Sequence, residues 1–161
     1  MNNYNLKNGI AEIGFMIIRN NKTSIMRIRF ILDTGASSTT ISKDDLSALG
    51  YDKEWINSNI IRTGNKKYMA DGSSVDEHYV IIPYSSIFGY RLLNWPFYIL
   101  EDRDLAKRNY GNYISQDILI NINYYFNNDN SKLEISKVKN KILRNKVHDK
   151  QSINSILDDD N

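Results

Sequence analysis

The stretch Phe30-Ile31-Leu32-Asp33-Thr34-Gly35-Ala36-Ser37-Ser38-Thr39-Thr40-Ile41 places one carboxylate at the end of an apolar run and follows it at once with small residues. Just upstream, Met26, Ile28, Phe30 and Leu32 share one face of an extended chain while Arg27 and Arg29 lie on the other, the period-two pattern of a half-buried strand. That strand delivers Asp33 to the edge of a core. Gly35, two residues after the acid, allows a tight turn and the close approach of another backbone, and the Thr34 hydroxyl can tie the turn down. Taken by itself, Asp-x-Gly also fits a turn in which the acid bonds only its own backbone.

Working outward, Ile10 to Ile18 is a second apolar, β-branched run, and Arg19 to Thr23 between the two runs reads as a hairpin turn. Downstream, Ser42 with Asp45 three residues later, then Leu46, Leu49 and Gly50, has the cap, apolar spacing and terminal glycine of a short helix over Lys43 to Leu49. Ile60-Ile61 and Lys67 to Ala70 suggest strands, Asp71-Gly72 is a hairpin-turn signal, and Val75 to Pro83 is a further strand. Leu92 to Leu100 is apolar around Pro96, which predicts an edge strand or a bulge. After a polar connection from Asp102 to Asn112, Tyr113-Ile114 leads into Ser115-Gln116-Asp117-Ile118-Leu119. Tyr124 to Phe126, a turn over Asn127 to Asn130, and Leu133 to Ile135 form a closing hairpin. The expected architecture is mostly β with one or two short helices.

Composition narrows the chemistry. The 161 residues, 41% hydrophobic and 25% charged, suit one soluble domain of 1–136 with a core that needs no staples. Cysteine is absent, which removes disulfides, thiolate metal sites and cysteine nucleophiles and fits a reducing compartment. Only His78 and His148 are present, so neither a histidine-rich metal site nor a Ser-His-Asp triad is expected, and the metal and cofactor expectation is none. The 21 basic and 19 acidic side chains leave a formal charge of +2, too small to imply nucleic acid. The first ten residues lack the apolar run of a signal peptide and no stretch is long enough for a membrane span, so the expected location is cytoplasmic with no membrane partner. Residues 137–161 form a charged extension: Lys137 to Lys150 carries six basic residues and one acidic, and the chain ends in Asp158-Asp159-Asp160. Leu143 and Val147 stand at helical spacing, so this extension reads as a short amphipathic helix or a disordered tail.

The Asp33 motif resembles that of the retropepsin-like aspartic proteases, Asp-Thr/Ser-Gly-Ala/Ser after two or three apolar residues. Further elements follow in the same order as in that family. The helix ending at Gly50 is similar to the segment that follows this loop in cellular and bacterial members, and Tyr68-Met69-Ala70-Asp71-Gly72 is similar to their Thr-Ala-Asn/Asp-Gly element near the flap. Ile114-Ser115-Gln116-Asp117-Ile118-Leu119 resembles their second element, apolar-apolar-Gly-x-Asp-hydrophobic-Leu. The match spans about residues 10 to 136. Two departures stand out. Ser115 occupies the usual glycine position, and Gln116 with Ser37 replaces both ends of the arginine–acid ion pair of retroviral members. A joint loss leaves no uncompensated charge, so the fold need not suffer.

The resemblance implies a retropepsin-like closed β-barrel and an aspartic endopeptidase. Its catalytic residue would be Asp33, with Thr34, Gly35 and Ala36 as the active-site loop. Ala70, Asp71 and Gly72 would lie in a flap formed around Lys66 to Val75, and Ser115, Gln116 and Asp117 would be structural in the second loop, with Asp117 as a brace or helix N-terminal group. Hydrolysis by this route needs two carboxylates sharing a proton, one drawing a proton from water and the other hydrogen-bonded to the scissile carbonyl. A single Asp-Thr-Gly in the chain therefore implies a two-fold homodimer acting on a peptide or protein substrate. Ala36 lacks the hydroxyl that would favour the ionised carboxylate, so activity is expected at mildly acidic to near-neutral pH. The alternative is a catalytically inactive peptide-binding or regulatory dimer of the same fold. A nucleic-acid-associated protein acting through the basic stretch after Lys137 is a third, less favoured reading, because aromatic residues are missing from that stretch.

Overall fold

The computed structural model describes residues 2–7, 10–68, 72–99, 112–136 and 141–144. Strand β1 (Asn2–Lys7) comes first, followed by a long hairpin of β2 (Ile10–Arg19) and β3 (Lys22–Leu32). The hairpin turns on Asn20 and Asn21, whose φ angles of 49° and 59° give the primed turn that matches the twist of paired strands. Along β2, Ala11, Ile13, Phe15 and Ile17 are buried and Glu12 and Gly14 exposed; on β3, Ile28 and Phe30 are buried and Arg27 and Arg29 exposed, the alternation read in the sequence. Phe15 meets Phe30 and Phe97 edge-on, at centroid distances of 6.1 and 5.5 Å, which places the core against this hairpin.

Beyond the Asp33 loop, β4 (Thr40–Ile41) leads into helix α1 (Lys43–Ala48). Ser42 caps the helix as expected, its hydroxyl accepting from the Asp45 amide at 3.1 Å, and Gly50 ends it at a φ of 105°. A second helix, α2 (Lys53–Asn59), follows at once and is not anticipated in the sequence reading. Asp52 caps it through the Trp55 amide at 2.8 Å. Trp55 stacks on Tyr51 at 4.3 Å, and Arg19 from the hairpin lies over both rings while donating to the Gly50 carbonyl.

Strand β5 (Ile61–Tyr68) is continuous where two separate pieces are expected, with a register shift between Arg62 and Lys66 that accommodates Gly64 at a φ of 76°. It pairs with β6 (Ser74–Ile87), which turns into β7 (Tyr90–Ile99). Pro96 does not make β7 an edge strand. It sits between two shorter neighbours on the same side, away from their ladders, so its missing amide is tolerated. Strand β8 (Tyr113–Ile114), helix α3 (Gln116–Leu119) and the hairpin of β9 (Tyr124–Asn127) and β10 (Lys132–Ile135) complete the sequence-anticipated order. Among the described residues there are three helices, where one or two are expected. Beyond Ser136, Ile142–Arg144 forms strand β11, parallel to β7, where a helix is the alternative read from the sequence. Leu143 is buried there; its alternation with exposed Ile142 and Arg144 gives period two over the part that is described.

The strands follow one hydrogen-bonded path, β5-β6-β7-β4-β8-β3-β2-β1-β10-β9, and β2 also pairs with β6, so that part of the path returns on itself. The structure is mostly β. Among the described residues no helix is long and apolar enough to cross a membrane.

Candidate active site

Asp33 leaves β3 where that strand runs parallel to β8, with Ile31 opposite Tyr113 and Leu32 opposite Ile114. Its amide donates to the Ile114 carbonyl at 2.9 Å, which fixes the first atom of the loop. The chain then folds back over the side chain: the Gly35 and Ala36 amides both donate to Asp33 Oδ1, at 3.0 and 3.1 Å. Among the described residues Oδ2 accepts no hydrogen bond. A Cβ at Gly35 would lie 3.4 Å from Asp33 Oδ1, an ordinary contact distance, so space alone does not demand glycine there. Thr34 is exposed and Ala36 half-buried.

The second loop grips the first. The Gln116 amide donates to the Ala36 carbonyl at 3.0 Å, and Gln116 Nε2 donates to the Thr34 carbonyl at 2.7 Å. Asp117 reaches across to buried Thr39, accepting from its amide on Oδ2 at 3.0 Å and from its hydroxyl on Oδ1 at 2.6 Å. The Thr39 hydroxyl in turn accepts from the Ser115 amide at 3.1 Å, and Asp117 Oδ1 takes a further bond from the Ile118 amide at 3.0 Å. Burial pushes the Asp117 carboxyl above its ordinary value, while the bonds from Thr39 and Ile118 pull the other way. The Trp95 indole, which among the described residues makes no hydrogen bond of normal length, adds a weaker downward pull. Asp117 is a brace between the loops; the N-cap of α3 is Ser115, whose side chain makes no capping bond.

Ser115 is fully buried and its hydroxyl has no hydrogen-bond partner among the described residues. Its φ of −121° is open to any residue, so serine causes no backbone strain in the position usually held by glycine. Ser37 bonds its neighbour instead of a distant arginine, its hydroxyl lying 3.4 Å from that of Ser38.

Two supports are not apparent from the sequence. Asn112, buried at the end of the polar connection, accepts from the Ser42 amide at 2.8 Å and donates to Asp45 Oδ2 at 2.6 Å and to the Arg29 carbonyl at 3.2 Å. It ties the α1 cap to the strand that carries Asp33. The other is a row from the loop toward the β5–β6 hairpin. Burial, then the neighbouring Glu77, raise the Tyr98 hydroxyl above its ordinary value, opposed by a hydrogen bond with Ser38. The Tyr79 ring lies 5.2 Å from that of Tyr98, and the Thr63 hydroxyl donates to the Glu77 carbonyl at 2.9 Å. Only the residue types, not their meeting, are visible in the sequence.

Of the flap candidates, Gly72 has a φ of 81° beside the Tyr68–Ser74 pair of the hairpin, and Ala70 and Asp71 lie outside the described residues. Tyr68, at the described end of β5, is 78% exposed. A separate groove of about 840 Å³, lined by Lys7, Glu12, Arg27 and Arg29 among others, includes no residue of the Asp33 loop, so it is not where this chemistry sits. Among the described residues no group of three or more His, Cys, Asp or Glu is placed to hold a metal ion.

Residues 19–111 match the family model described as aspartyl protease. In fold the chain is similar to a retropepsin-like aspartic protease from Rickettsia conorii, with a TM-score of 0.51 and 18% identity over 82% of this chain and 86% of that one. No curated protein gives a significant match.

Proposed function

The chain belongs to the aspartyl protease family, and from that premise we propose that it is an endopeptidase whose active site forms between two copies, each contributing Asp33. The observation that carries this reading is the state of Asp33: one oxygen is fixed by two backbone amides, and the other accepts no hydrogen bond among the described residues. The first bond pair orients the carboxylate, and the open oxygen is where water would stand.

One such group is insufficient. Asp117, the acid of the second element, has both oxygens engaged by Thr39 and is not available for proton transfer. The second carboxylate is therefore assigned to Asp33 of a second copy. In the pair, the ionised carboxylate takes a proton from water as its oxygen attacks the scissile carbonyl, and the protonated one donates to the carbonyl oxygen. The tetrahedral intermediate then collapses, the carbon–nitrogen bond breaks, and a proton passes to the leaving amine. No cofactor is needed for these steps.

Several features support the pairing. Thr34 is exposed beside Asp33, Ile120 just after α3 is 77% exposed, which leaves an apolar side chain uncovered beside the second loop, and Tyr125 on the edge strand β9 is 62% exposed. The β5–β6 hairpin would close over an extended peptide, with Tyr68 and Gly72 near its tip and Ala70 and Asp71 between them. The return of the strand path through the β2–β6 pairing favours a closed barrel. The domain assigned to this activity is 1–136, with 137–161 as an extension that contributes β11. The cysteine-free composition favours a reducing, cytoplasmic location.

The test is Asp33→Asn. Peptide cleavage should vanish while the circular dichroism spectrum and the sedimentation of the dimer stay those of wild type, and a statine-type peptide carrying a hydroxyl should inhibit the wild type. Equal cleavage by wild type and variant sinks the assignment, and cleavage by a strictly monomeric wild type sinks the shared site.

A further inference from the structure

We propose that Gln116 is the positioning residue of the Asp33 loop, acting on the carboxylate through the Thr34–Gly35 peptide group. The inference rests on the endopeptidase reading for its kinetic consequences and on the geometry alone for its structural ones.

One residue closes the loop at both ends. Its backbone amide holds the Ala36 carbonyl and its side-chain amide holds the Thr34 carbonyl, so the turn that wraps Asp33 is clamped before and after Gly35. The Thr34 carbonyl and the Gly35 amide belong to the same planar peptide unit. A donor on the carbonyl therefore polarises the amide on the other side, and that amide is one of the two that hold Asp33 Oδ1. The line runs from Gln116 Nε2 through a single peptide to the carboxylate. Each hydrogen bond in it strengthens the next and favours the ionised acid.

The chemistry of the side chain fits this task. A carboxamide donates without charge, so the clamp does not titrate, and it needs no buried counter-ion. Ser37, in the position of an acidic partner in retroviral members, is correspondingly engaged with Ser38. Among the titratable and charged side chains on the elements packed around the loop, β3 carries Lys22, Arg27 and Arg29, β7 carries Tyr90, Arg91 and Tyr98, β8 carries Tyr113 and α3 carries Asp117. Asp117 is turned to Thr39 and Tyr98 is bonded with Ser38. None of these side chains is itself altered by a substitution at position 116, whereas in a homodimer both copies lose the Gln116 clamp, so the two Asp33 loops respond together.

Two variants separate positioning from bulk stability. Gln116→Leu removes the donor and keeps the volume, and kcat should fall by about two- to tenfold, the loss of one hydrogen bond, with KM little altered. The acid limb of the pH–rate profile should move to higher pH, because the carboxylate loses part of its support. Gln116→Glu should lose more at neutral pH, where an anion faces the Thr34 carbonyl, and should recover toward wild type in acid, where the protonated carboxyl donates again. A merely structural side chain would lower the melting temperature and leave both profiles superimposable on wild type; that result overturns the proposal. Carbon NMR titration of the Asp33 carboxyl needs no turnover: a midpoint displaced upward in Gln116→Leu supports the relay, and coincident curves sink it. An inactive wild type with displaced curves sinks the endopeptidase reading and leaves the role of Gln116 standing.

Discussion

Thr39 and Asp117 lie 78 residues apart and are joined twice, the amide and the hydroxyl of the threonine each donating to a different oxygen of the carboxylate. The contact locks the segment after the Asp33 loop to the helix of the second loop. Its partners are buried or half-buried, so leaving one unpaired is costly. Asp117→Asn presents an NH2 where one of the Thr39 donors needs an acceptor. Stability should drop by about 1–3 kcal/mol, read as a lower urea midpoint with an unchanged slope.

The same residue gives a pH dependence with an unusual sign. Burial raises the Asp117 carboxyl above its ordinary value of 3.8, so the folded state binds its proton more tightly than the unfolded chain. The stability it contributes is full below 3.8 and declines as pH rises through the elevated folded value. Urea midpoints of wild type and Asp117→Asn, measured across roughly pH 3 to 7, should show the wild type losing ground relative to the variant with rising pH over that window. A difference that grows with pH would mean that the hydrogen bonds outweigh the burial.

Ser115 carries a buried hydroxyl with no partner among the described residues. Replacing it by alanine removes a desolvated group and keeps a Cβ that the backbone accepts without strain. Ser115→Ala should be neutral or stabilising by up to about 1 kcal/mol, with cleavage retained; differential scanning calorimetry decides it. A clear loss would mean that the hydroxyl has a role, such as holding an ordered water.

Arg19 stitches the hairpin to the two helices by donating to the Gly50 carbonyl and covering the Tyr51 and Trp55 rings. Arg19→Lys keeps the charge but not the flat guanidinium that does both at once. A melting temperature lowered by several degrees, from a loss of about 1 kcal/mol, is expected, with little change in kcat, since none of these groups belongs to the loop around Asp33.

Truncation after Ser136 removes β11. Leu143 would leave its buried position and Lys141 its bond to the Asn121 carbonyl, two residues beyond the end of α3. The shortened chain should melt at a lower temperature and show faster amide exchange along β7 at Arg91 to Leu93. Unchanged exchange there would show that the strand adds nothing to β7.

The local features of this fold were legible because local physics sets them. The period of Met26 to Leu32, the Ser42 cap and the Asn127 to Asn130 turn each depend on residues a few positions apart. Helix α2 does not stand out in the sequence because Lys53 to Asn59 buries only Ile56 fully, which leaves too narrow an apolar stripe. Strand β11 was hidden for a related reason, since three residues are too few to reveal a period and Leu143 with Val147 mimicked a helical spacing. At the site, Asp33 and its small neighbours announced themselves. Asn112 did not, because its value lies in three partners drawn from distant segments, and nothing in its flanking residues records them.

The bonds that brace the Asp33 loop and its strand span 76 to 83 positions of chain. A nascent polypeptide still on the ribosome would present Asp33 long before Asn112, Gln116 and Asp117 had been synthesised to support it. Long-range closure of this kind forms late in folding. The Asp33 loop therefore gains its supports only when translation of the domain is nearly finished, and on the endopeptidase reading an emerging molecule would be kept from acting on its own siblings until then.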